Sequence, residues 1–106
     1  MISIRNEYPL KITINEHKLT RVIIDQHYKL KHSHSINDQI ILELVKRLDG
    51  DILPVDKEED GYLYFRVEPI IKDRAPYRLV LVIYIHDDFL GVINAFRVER
   101  KKHEKK

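Results

Sequence analysis

A chain of 106 residues that is 43% hydrophobic and 34% charged has the size and balance of one folded domain, which excludes a two-domain protein and a disordered chain. The absence of cysteine excludes a disulfide framework, a thiolate zinc site and a cysteine nucleophile. A net charge of only +2 does not announce a nucleic-acid partner; charge at Arg5 and Glu7, and the lack of any window near the ~18 apolar residues of a membrane span, predict no signal peptide and no membrane association, with a cytoplasmic location.

Leu10 to Ile14 alternates apolar and polar residues, the pattern of a half-buried strand, and Asn15-Glu16-His17 reads as a tight turn. Lys18 to Asp25 suits a second strand rich in β-branched residues, although Leu19 to Leu30 also permits a helix. One amphipathic helix is predicted from Ile36 to Leu48, where Ile36, Ile40, Ile41, Leu44, Val45 and Leu48 form an apolar stripe. Ser35 is its candidate N-cap, with Asp38 three residues on, and Asp49-Gly50 supplies the stop.

The acidic segment Asp49 to Gly61 contains Pro54, lacks periodicity and reads as a mobile connection. Tyr62 to Glu68 alternates as a strand with Leu63, Phe65 and Val67 on one face; Lys72 to Pro76 turns; Tyr77 to Ile85 is nearly continuous in apolar residues, as a central strand requires. Leu90 to Glu99 forms the last strand, with Asn94 facing inward among Val92, Phe96 and Val98 by strict alternation. The expected fold is α+β: a single helix on a mainly antiparallel sheet, order β-β-α-β-β-β, ending in a three-stranded meander, with one domain over residues 1–100 and a basic tail over 101–106.

Potentially reactive groups are densest before the helix, in Asp25-Gln26-His27-Tyr28-Lys29-Leu30-Lys31-His32-Ser33-His34. Histidine titrates near neutrality, so His27 and His32 are candidates for general acid and base, while a solvated polar loop explains the same residues. A metal is disfavoured: His32 and His34 share one side of an extended segment, but a third ligand from His27, His17 or Asp25 has no recognised zinc spacing. Arg78 and Arg97 lie within apolar strands, where a charge needs solvent, a carboxylate such as Glu68 or Glu99, or an anionic substrate. Tyr64 is a candidate for base stacking or for cross-strand packing. No GxSxG, Walker-type loop or GxGxxG is present, and no cofactor is expected.

The segment from Ile24 to Ile36, the helix after it, Tyr77-Arg78-Leu79-Val80 and Gly91-Val92-Ile93-Asn94-Ala95-Phe96-Arg97 together resemble the toxin-type proteins of the barnase, EndoU, colicin and RelE group, the BECR fold, over roughly residues 18 to 98. Within that group, Asp25 to His32 and the following helix look like the BrnT toxins. The resemblance implies helical elements packed on a four-stranded sheet and a metal-independent endoribonuclease that cleaves RNA by attack of its own 2′-hydroxyl. It would be the toxin of a toxin–antitoxin or immunity pair, with RNA and that antitoxin or immunity protein as partners. In that chemistry His27 and His32 supply base and acid, Arg78 and Arg97 steady the phosphorane, and Lys31, Tyr64 and Asn94 hold the substrate. The alternative is a non-catalytic module that binds protein or nucleic acid on its sheet face or basic tail.

Overall fold

The computed structural model describes residues 4–32 and 34–98, so the basic tail at 101–106 lies outside the described residues. The elements are β1 (Arg5–Ile14), β2 (His17–Asp25), a 3-10 turn (Gln26–Tyr28), α1 (Lys29–His32), α2 (Asp38–Lys46), β3 (Lys57–Glu59), β4 (Tyr62–Lys72), β5 (Ala75–Tyr84) and β6 (Phe89–Arg97). They build one six-stranded sheet, β1-β2-β6-β5-β4-β3, in which only the β2–β6 pair is parallel. Among the described residues no helix is long and apolar enough to cross a membrane.

This architecture corrects the expected one. The sheet is mixed, and the chain contains two short helices and a 3-10 turn where one helix and the order β-β-α-β-β-β were expected. It also exceeds the four strands that the family resemblance implies. The region around residues 18–30, open between strand and helix, divides: β2 ends at Asp25, whose carboxylate accepts the His27 amide at 2.8 Å and starts the 3-10 turn. Helix α2 is shorter than the apolar stripe suggests, because its N-cap is Asn37 and not Ser35; Asn37 Oδ1 accepts from the Ile40 amide at 2.9 Å. Ile36 and Leu48 are nonetheless buried just outside its ends.

The segment after α2 is pinned, contrary to its reading as a mobile connection. Asn15 closes a reciprocal pair with Leu53, donating from Nδ2 to the Leu53 carbonyl at 2.9 Å and accepting the Leu53 amide at 2.6 Å. The Thr13 amide donates to Asp49 at 2.8 Å and the Gly50 amide to the Thr13 carbonyl at 2.7 Å. Strand β3 then pairs with β4 through Asp60-Gly61, both at positive φ (53° and 84°), the requirement of a two-residue hairpin turn.

The sheet has two unlike faces. One carries Ile12, Ile14, Val22, Ile24, Phe65, Leu79, Leu81, Ile83, Leu90 and Val92, all buried, and packs against Ile41, Leu44 and Val45 of α2. The opposite face carries Ile23, Tyr62, Tyr64, Val80, Val82, Tyr84, Phe89 and Phe96. Its position opposite the helix follows from alternation along β5 and along β4 before its register shift between Val67 and Ile70.

Candidate binding face

The face away from α2 holds three of the candidate site residues, Arg78, Tyr64 and Asn94, and an apolar centre. β5 is the clearest case: Ala75, Tyr77, Leu79, Leu81 and Ile83 are buried toward the helix, while Arg78, Val80, Val82 and Tyr84 are only half-buried on the other side. Ile93 is 39% exposed and Tyr62 37%, so the apolar surface continues onto β6 and β4. Helix α2 packs on the other face, and the apolar side chains here are left partly open to solvent.

A β-bulge sets what β6 presents. Leu81 pairs with Val92, but Val80 pairs with Asn94, so Ile93 is the extra residue and parity flips after it. Asn94 therefore joins Val80 on the open face and not the inward row with Val92, correcting the alternation read from sequence. Its Oδ1 accepts the Ala95 amide at 2.9 Å.

Four of the face's cations, Arg21, Lys57, Arg66 and Arg78, are matched to carboxylates. Arg21 reaches Glu7 at 3.3 Å, Asp87 at 3.2 Å and Asp88 at 3.4 Å; Lys57 reaches Glu59 at 3.1 Å and Arg66 reaches Asp56 at 3.2 Å. Arg78 is held by Glu68 through a short Nε–H···O contact, and its guanidinium lies 5.2 Å from the Phe96 ring centroid. The Arg78 bond keeps the Glu68 carboxyl below its ordinary range. Lys57 lies 6.0 Å from the Tyr64 ring, and Tyr62 stacks on Tyr84 at 4.5 Å.

The residues expected to share one phosphate do not surround one point. Arg97 is paired with buried Tyr77 and so belongs to the helix side of the sheet, whereas Arg78, paired with Phe96, belongs to the open side. His32 stacks on Phe96 at 5.0 Å, the ring that also faces the Arg78 guanidinium, while His27 is exposed in the 3-10 turn. Lys31 is exposed on α1 and Tyr64 half-buried on β4. Among the described residues no three His, Asp or Glu side chains cluster as a metal site.

The densest polar cluster was not legible in the sequence. Asp38, the first residue of α2, accepts from Tyr28 at 2.6 Å, Tyr8 at 2.6 Å, Asn6 at 2.9 Å and Gln26 at 3.1 Å. Burial alone would raise the Asp38 pKa, but the donated bonds of Tyr28, Tyr8, Asn6 and Gln26 outweigh it and hold the carboxyl below its ordinary value. Burial, then the bond to Asp38, pushes the Tyr28 hydroxyl well above its ordinary value; for Tyr8 the Asp38 bond is the first cause and burial the second. With all four donors converging on one carboxylate, the cluster fixes the start of α2 to β1 and to the 3-10 turn.

No family model matches this chain, and neither a curated protein nor a solved structure matches it.

Proposed function

We propose that the protein is a non-catalytic binding module that docks a polypeptide on the open face of its sheet. The observation that carries this reading is the combination on that face of an apolar centre, formed by Ile23, Val80, Val82, Phe89 and Ile93, with four cations, Arg21, Lys57, Arg66 and Arg78, already paired to Glu7, Asp56, Glu59, Glu68, Asp87 and Asp88. A nucleic-acid surface gains affinity by setting Lys and Arg against phosphates and releasing counterions; here those side chains would first have to leave their carboxylates. A polypeptide instead gains from burial of the apolar centre and leaves the ion pairs as a polar rim.

Peptides selected from a random library on immobilised protein should bind the wild type, and Ile93→Glu should weaken them at least tenfold while the melting transition stays in place, since Ile93 is already 39% exposed. Single-stranded RNA should be neither cleaved in chelator nor bound with a steep salt dependence. Cleavage to 2′,3′-cyclic phosphate ends, or RNA binding whose affinity collapses between low and physiological salt, would overturn the reading in favour of the ribonuclease or nucleic-acid alternative.

A further inference from the structure

Resting on that docking reading, we infer that the open face contains a specificity pocket for one aromatic side chain of the bound polypeptide. A hollow of about 250 Å³ lies between Ile23, Val82, Phe89 and Ile93, with the Tyr62 ring at one wall. Its depth depends on Gly91, the cross-strand partner of Val82. A Cβ at Gly91 would stand 2.7 Å from Val82 Cγ1, closer than side chains approach, so the missing side chain is what lets Val82 sink toward the sheet and leave space above it.

Size, walls and charge select the occupant. An apolar cavity of ~150 Å³ already accepts benzene, so a hollow of about 250 Å³ has room for an indole or phenol ring. Phe89 and Tyr62 offer ring faces and edges, which favour a third ring over an aliphatic chain. At one end stand Arg5 and Asp25, Cα partners across β1 and β2 that also line the hollow. One cation beside one anion favours a neutral group that both donates and accepts, and the peptide group flanking an aromatic residue is such a group. That complementarity points to a residue within a chain and not to a free aromatic acid.

The test titrates indole into isotope-labelled protein and follows backbone amides. Indole should bind with a dissociation constant on the order of millimolar, moving the amides of Ile23, Val82, Phe89, Gly91 and Ile93 and leaving those of α2 unmoved. Gly91→Ala, which drives Val82 into the hollow, should weaken indole at least tenfold. Val82→Ala combined with Gly91→Ala removes the clash and should restore binding, which separates loss of the hollow from loss of the fold. In a library-selected peptide, replacing the aromatic residue with Leu should cost at least tenfold in affinity. If selected peptides bind the open face but indole does not, or Leu serves as well, the aromatic pocket is wrong and the docking face stands. If neither indole nor any peptide binds that face, both fail. Indole binding without peptide binding would make this a small-molecule site and overturn the polypeptide assignment.

Discussion

Leu44→Ala is expected to destabilise the protein by about 2–5 kcal/mol, the range for truncating a buried leucine whose cavity the surroundings only partly fill. Leu44 is fully buried in α2, in the layer that closes the only helix-covered face of the sheet among the described residues. With Ile41 and Val45 it supplies the fully buried side chains of a helix just nine residues long, which cannot hold its conformation without that packing. Denaturant unfolding should show the loss as a lower midpoint with an unchanged slope. A loss within experimental error would remove α2 from the core.

Asp38→Ala is expected to cost about 2–4 kcal/mol, because it strands donors of Tyr8, Tyr28, Asn6 and Gln26 in partly buried surroundings. The same cluster gives stability a predictable pH dependence. The folded-state pKa of Asp38 is depressed, so its contribution is complete above the unfolded value of about 3.9 and is lost as pH falls from there through the lower folded value. The phenols act at the other end: Tyr8 and Tyr28 are raised, so their contribution is complete below an unfolded value of about 10 and is lost as pH rises above it toward the folded values. Asp38→Ala should flatten the acid limb of the stability profile and make the alkaline limb shallower, the part of the Tyr28 shift that burial causes remaining. Limbs as steep as those of the wild type would show that other groups cause them.

Local signals in the sequence marked several elements and missed the contacts between them. The alternation of Leu63, Phe65 and Val67 lies in β4, and the apolar run from Tyr77 lies in β5, because those patterns report directly on a strand's two faces. Lys57-Glu58-Glu59 carries no apolar residue, so β3 had no periodicity to reveal it; the signal that marks it is Asp60-Gly61, a hairpin turn pair read only as part of a loop. The parallel β2–β6 pair joins segments more than sixty residues apart, which no local pattern reports. Asn94 was misplaced because one bulge at Ile93 reverses every later side chain of the strand.

The candidate site was legible as residue types and not as an arrangement. Arg78 stood out as a charge within an apolar strand, and Glu68 was a partner the sequence offered; the structure joins them. His27 and His32 stood out by chemistry, yet where each sits depends on the 3-10 turn and short helix that follow β2. Asp38 was read as helix-capping, since nothing local ties it to Tyr8, thirty residues away. The hollow arises from Gly91 opposite Val82, a pairing that exists only once β5 and β6 are in register.

A polypeptide docked on the open face should leave its imprint there and nowhere else. In a complex with a library-selected peptide, amide shift changes and slowed hydrogen exchange should cluster at Ile23, Val80, Val82, Phe89, Gly91 and Ile93, with α2 and the Asp38 cluster unchanged. A bound peptide whose imprint falls on α2, on the free edge of β1 or around His27, with the open face unmoved, would contradict the assignment of that face as the binding surface.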